Sequence, residues 1–475
     1  MQTLNTSLLR SLLAVGTAAT VTIAQAAPQV VAVASVGGTF AGNTITSLQV
    51  PAYDSIGTLW FMGVNGTDQF IAQGNAVPWK SSFSTSPVLS GTSVAFAVST
   101  NGFIYNPRIA PQTGGVYIKT GASTTFLTPY DPAPGSSPYY VRTVFAPQMI
   151  NDGTAYFIGS LSLNPSGVSS PFPPRALYKR SPGGVITKVF ATTPGSTIAG
   201  QAVISTWNSG MPGAYSISPD GTQTALVVNF DTGSDVDDTA LVKNFTTVVA
   251  QEAVPWTGAA AIENFGKCEI TNAGDVYYSG TTFAPTLENA FLAKNSDPIL
   301  TELDKVDQIS LSGLSLTQFV LSAQNKMVMS WGTSDTNHTL FISDADLPLA
   351  GKRVVGIGDQ IDLDGDFAAD AEVSKIFTTG FRPIVLNNQN TIALKIEYTA
   401  IGGGGTPTQS IVTIPYPKPG EVDRDGEVGP SDFERVVAAF GATPADVNWD
   451  AWADLDFDGE VGPGDFEIVV SNFGS

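Results

Sequence analysis

Residues 421–432 and 454–465 carry nearly the same segment twice, 33 residues apart, and no other feature constrains the chain's fold so tightly. The first copy reads Glu421-Val-Asp-Arg-Asp-Gly-Glu-Val-Gly-Pro-Ser-Asp432. The second reads Asp454-Leu-Asp-Phe-Asp-Gly-Glu-Val-Gly-Pro-Gly-Asp465, and the match runs on into Phe433-Glu434 and Phe466-Glu467. An in-register repeat of this kind predicts two like units packed on each other. Each copy has carboxylates at positions 1, 3, 5 and 12 and a glycine at position 6. Alternate carboxylates on a short loop wrap a hard cation, the glycine permits the sharp turn, and the position-7 carbonyl completes the circle. The predicted ligands are Glu421, Asp423, Asp425, Glu427 and Asp432 in one loop, and Asp454, Asp456, Asp458, Glu460 and Asp465 in the other, giving two Ca2+ sites. Position 9 is Gly429 or Gly462, which leaves that coordination place to water, and Val428 and Val461 point the other way to pair the loops.

A helix signature follows each loop. Ser431 with Glu434 reads as a capping box. Phe433, Val436, Val437 and Phe440 then fall at helical spacing before Gly441, and Phe466, Val469, Val470 and Phe473 repeat the pattern before Gly474. A loop followed by one helix is half of an ordinary EF-hand. Duplicated loop–helix units with Asp at position 12 resemble the dockerin family, and the likeness covers residues 418–475. The resemblance implies a small α domain that binds calcium and docks onto a cohesin-like protein module or a cell-surface scaffold, with a short linking helix within Pro444–Trp452. Two positions depart from the family pattern. Position 1 of the first loop is Glu421, not Asp, and the contact pair at positions 10 and 11, usually polar, is Pro430-Ser431 and Pro463-Gly464.

The body repeats itself more loosely. Ile150-Asn151-Asp152-Gly153-Thr154-Ala155-Tyr156-Phe157 is followed by Ala176-Leu177-Tyr178-Lys179, and Ile217–Thr222 by Ala240-Leu241-Val242-Lys243. Ile270–Tyr277 is likewise followed by Ala290–Lys294, and looser copies begin near Ser55, Leu89, Leu321 and Leu386. Each copy is a turn and a strand followed by a second strand phrase, so two hairpins per copy would build a four-stranded sheet. Seven such copies predict a mainly β body, a seven-bladed β-propeller over 27–414. A pair of β-sandwich domains uses the same strands and is the alternative. The body is similar to bacterial secreted propeller-like repeat proteins. Pro415–Gly420 is the expected linker to a domain at 421–475, because alternating prolines hold a chain extended.

Charge and composition narrow the function. The 475 residues carry a formal net charge of −20, which disfavours nucleic acid and anionic membrane surfaces as partners. Residues 1–26 read as a signal peptide, with Arg10, the apolar stretch Ser11–Ala24 and small residues before Ala27. That stretch is too short and Thr-rich for a membrane anchor, so the expected location is secreted or cell surface. Cys268 is alone, which leaves no intramolecular disulfide, and its apolar surroundings predict a buried residue.

No catalytic constellation stands out. His338 is the one histidine, lies in a polar stretch and has no nucleophile elbow near it, so it reads as a surface-loop residue. The acidic runs Asp235–Asp238 and Asp359–Asp370 read as solvated hairpin ends, although Asp362, Asp364 and Asp366 could hold a cation. The leading reading is a secreted, non-enzymatic binding or structural protein. Its alternative is a carbohydrate-active enzyme, a glycoside hydrolase or lyase carried by a dockerin, with a polysaccharide as its ligand. Trp60, Trp79, Trp207, Trp256 or Trp331 would then serve as sugar platforms.

Overall fold

The computed structural model describes residues 28–475, apart from 67, 83–95, 101, 106–115, 128–130, 165–173, 207–214, 234–237, 256–259, 285–288, 312–315, 317, 334–337, 365–367, 379–381, 403–404, 416–417 and 425–426. The signal-peptide reading of residues 1–26 lies outside the described residues. None of the described helices is long and apolar enough to cross a membrane.

Each body repeat becomes one antiparallel sheet, and the turn phrase is where its first hairpin reverses. Gly153, Gly221 and Gly274 take φ of 84°, 74° and 86°, a left-handed conformation that costs glycine little. Their N–H groups close the turns on the carbonyls of Ile150, Ser218 and Thr271. Asn325 and Asn390 hold the equivalent left-handed place in two further sheets, closing on Ser322 and Asn387. The phrases beginning Ala176, Ala240 and Ala290 are the third strands, Arg175–Arg180, Thr239–Lys243 and Ala290–Lys294. Among the described residues seven such sheets arise, each with at least four strands. The copy placed near Leu89 falls outside the described residues, and that sheet turns between Phe96–Ser99 and Gly102–Tyr105.

The chain is a seven-bladed β-propeller, mainly β, with two short α-helices at its C-terminal end. Blade 1 spans residues 47–82, blade 2 96–127, blade 3 140–191, blade 4 201–251, blade 5 262–301, blade 6 318–356 and blade 7 371–414. The ring closes with strands from opposite ends of the propeller. Val31–Ser35 pairs antiparallel with Thr408–Ile414 as the outer strand of blade 7, with Val31 opposite Thr413 and Ser35 opposite Ser410. Adjacent blades bury apolar faces against each other, as in the cluster of Ile158, Leu226, Leu241 and Phe291 that runs through blades 3, 4 and 5.

In five of the blades the innermost strand is irregular. Register shifts interrupt Ser47–Tyr53, Tyr140–Met149 and Ile262–Ile270, and in blades 4 and 7 the inner edge is split into two strands. A bulge re-aims side chains, and here it turns polar groups toward neighbouring blades. Tyr215 donates its hydroxyl to the Ala146 carbonyl, Gln148 donates to the Tyr215 carbonyl, and Ser216 donates to Glu269. Lys267 lies 3.2 Å from Glu269 and donates to the Phe319 carbonyl of blade 6. Arg382 reaches Glu269 from blade 7. A polar belt therefore ties blades 3 to 7 together at their inner edges.

Candidate metal centre in the C-terminal repeat

Helices α1 (Pro430–Ala439) and α2 (Pro463–Asn472) follow the two acidic loops at equivalent positions. Each starts on a glycine, Gly429 or Gly462, with proline at the first helical position, where the missing N–H costs nothing. The cap is not Ser431 with Glu434. Asp432 and Asp465 fill that role instead, accepting from the N–H of Gly429 and of Gly462 at 2.7 Å each. Pro430 starts the helix earlier than the capping-box spacing predicts, which moves the reciprocal carboxylate to Asp432.

The same two carboxylates organise the loops behind them. Asp432 also accepts from Val422 at 2.5 Å and Asp423 at 3.1 Å, while Asp465 accepts from Leu455 at 2.5 Å and Asp456 at 3.2 Å. Both are essentially fully buried. Val428 and Val461 are buried as well, but each pairs with the other repeat's helix end: Gly474 donates to the Val428 carbonyl and Gly441 to that of Val461. Phe433 and Phe466 meet edge to face, with centroids 4.7 Å apart. Pro444–Trp452 forms turns and no helix. Asp446 accepts from the N–H and hydroxyl of Thr443, and Asp450 from the N–H of Trp452, so local side-chain bonds replace helical ones.

The second loop gathers its carboxylates. Asp454, Asp456 and Asp458 each place an oxygen within 4.8 Å of the others, a group that could hold a metal ion. Asp454 is fully buried, and its Oδ1 has no hydrogen-bond partner. Burial pushes its carboxyl up to about 7, with the nearby Lys352 ammonium opposing the shift and Asp465 adding to it. A buried carboxylate with one oxygen unsatisfied is costly unless a cation completes it, so this donor set fits a hard divalent ion. Glu460 is exposed. In the first loop Glu421 and Asp423 are buried and Glu427 is exposed, while Asp425 lies outside the described residues.

A second acidic group lies in the body, where Asp362, Asp364 and Asp370 also come within 4.8 Å. Asp366, which the sequence offered beside Asp362 and Asp364 as a possible cation ligand, lies outside the described residues. Asp370 joins through the fold, accepting from the Leu363 N–H. Cys268 is buried, and burial pushes its thiol up, as its apolar surroundings predict. His338 is half-buried, and burial pulls its imidazole below the usual value. Trp60 and Trp331 are core residues, Trp60 donating to Asp54 at 3.0 Å. Trp207, Trp256 and the Trp79 side chain lie outside the described residues, as do Asp235, Val236 and Asp237.

The repeat sits on the propeller, a contact the sequence did not predict. The two loops reach blade 6 and its approach with the residue at position 4, Arg424 and Phe457, and both take left-handed φ, 65° and 61°. Phe457 lies beneath two propeller ammoniums, with Lys326 3.6 Å and Lys352 4.2 Å from its ring centroid. Arg424 lies over Trp452 at 4.7 Å and faces Asp307 and Asp359. Gln308 donates to the carbonyls of Pro444 and Asp446, and Ala350 of blade 6 joins the repeat's apolar core.

Fold and site together define a β-propeller carrying a duplicated acidic loop–helix repeat. No family model matches the chain, and none of the curated proteins does. Similar solved structures include a streptogramin B lyase at 10% identity and TM-score 0.33, covering 80% of this chain and 97% of that one. Prolyl oligopeptidase B from Galerina marginata matches at 13% and 0.39, covering 77% of this chain and 50% of its own. A gluconolactonase from Xanthomonas campestris matches at 10% and 0.28, covering 65% and 93%.

Proposed function

We propose that this is an exported, non-enzymatic binding protein whose C-terminal repeat holds two calcium ions and attaches the propeller to a partner, in the manner of a dockerin. The buried, unsatisfied Oδ1 of Asp454 within the Asp454–Asp456–Asp458 group carries the calcium reading. Calcium neutralises carboxylates that otherwise repel, and its binding free energy adds to the folding free energy of a small module. Oxygen-only donors on a flexible loop suit calcium better than zinc, which favours nitrogen and sulfur.

The attachment reading rests on the outward faces of the helices. Val437 and Phe440 on and just past α1, and Val470 and Phe473 on and just past α2, are each about half exposed at matching repeat positions. A paired apolar patch of this kind suits a flat protein face of the cohesin type. Titration calorimetry of the whole chain tests the ions: two calcium sites are expected, and none would overturn the reading. Capture from the producer's surface and secreted fractions tests attachment. A partner held in calcium, and lost with Phe440→Ser and Phe473→Ser together, is the expected result.

A further inference from the structure

Lys352 is fully buried between the propeller and the second acidic loop. Its ammonium lies 4.2 Å from the Phe457 ring centroid and 5.5 Å from that of Trp452, and its counter-charges are Asp454 and Asp450. Asp450 is already engaged by Arg435, with Nη2 to Oδ2 at 2.5 Å. Asp454, the foremost of these counter-charges, is also the carboxylate whose Oδ1 has no hydrogen-bond partner. Lys326 adds a second positive charge over the same Phe457 ring, 3.7 Å from Asp344.

We propose that calcium binding at the second loop and seating of the repeat on blade 6 oppose each other, with Lys352 acting as the resident counter-cation that calcium displaces. The inference rests on the calcium reading above. A divalent ion entering the Asp454–Asp456–Asp458 group neutralises the carboxylate charge near Lys352, and it arrives beside two ammoniums, that of Lys352 fully buried. Burial strengthens that repulsion, because few solvent dipoles screen it. Linkage makes the effect reciprocal: seating on the propeller weakens calcium binding at the second loop, and calcium loosens the seat by the same factor. The two sites of the repeat then differ in affinity because only the second loop meets the lysine pair.

Calcium titrations of the whole chain test this. Lys352→Met keeps the side chain's length and removes its charge, and it should tighten one of two calcium sites by about fivefold or more. Lys326→Met should act in the same direction with a smaller effect. In an Asp456→Ala background, which disables the second loop, Lys352→Met should leave the remaining site unchanged. Unchanged or weakened calcium binding in Lys352→Met would overturn the coupling while leaving the calcium reading intact. Absence of any calcium binding in wild type would overturn both. Hydrogen exchange on the unmodified protein gives a second reading that needs no variant. Calcium should speed exchange across Lys352–Gly356 while protecting the amides of Leu455–Gly462, and protection of both segments would overturn the proposal.

Discussion

Arg382 of blade 7 places Nη2 3.1 Å from Oε2 of Glu269 on the inner strand of blade 5, and Lys267 flanks the same carboxylate from its own strand. Three charges at the inner edge of a β ring are held by one another and by Ser216. Removing the carboxylate strands Lys267 in a buried place. Glu269→Ala should destabilise the propeller by about 3–5 kcal/mol, read from urea unfolding midpoints. Glu269→Gln should cost less, because its amide still accepts a hydrogen bond.

The same carboxylate sets a pH dependence. Burial alone would raise its value, but Arg382 and Lys267 outweigh burial and hold it below the ordinary glutamate value. Its contribution is therefore complete above the unfolded value of about 4.3 and is lost as pH falls through the lower, folded one. Wild type should lose stability more steeply than Glu269→Gln below about pH 4. Urea melts between pH 3 and 7 would show it, and parallel curves would refute it.

Asp432 and Asp465 each accept three backbone N–H groups, joining a loop to the start of its helix. Replacing either by alanine leaves buried donors unpaired and should cost about 3 kcal/mol. Circular dichroism should register the loss as missing helix signal, with the β signal of the body retained.

Gly280 lies opposite Phe291 in blade 5, and a methyl there would overlap the Phe291 ring and the Asn264 carbonyl. Gly63 stands in the same relation to Phe70 in blade 1. Gly280→Ala should cost about 1–3 kcal/mol through overpacking. Gly200→Ala, at a turn with open space around it, should show only the smaller strain of its left-handed backbone.

Much of the propeller was legible because its turns repeat a local chemistry. Asn-Asp-Gly, Pro-Asp-Gly and Asn-Ala-Gly each declare a left-handed position, and the strand phrases on either side follow in order. In the repeat, the loop spacing indicated which carboxylates the second loop would gather, but not the cap, because Pro430 and Pro463 fix the helix start ahead of Ser431 and Gly464. The linking helix failed at Pro444, where Asp446 and Asp450 satisfy the backbone locally. Contacts between Phe457 and Lys326 or Lys352 join residues more than a hundred positions apart, and no local pattern announces them. The inner belt did leave a trace: Lys267 and Glu269 lie two residues apart in the strand Ile262–Ile270, the spacing that puts side chains on one face.

The strand that seals the ring has consequences for how the protein is made. Ser35 shares a hydrogen bond with Ser410, 375 residues later. During synthesis Val31–Ser35 emerges first among the described strands and has no partner until nearly the whole propeller has followed it. Blades 1 to 6 can assemble in order behind it, but the circle stays open, with an exposed edge at each end, until residue 414 arrives. Such edges invite pairing with other chains. A chain cut short anywhere before blade 7 therefore carries an early strand with nowhere to go.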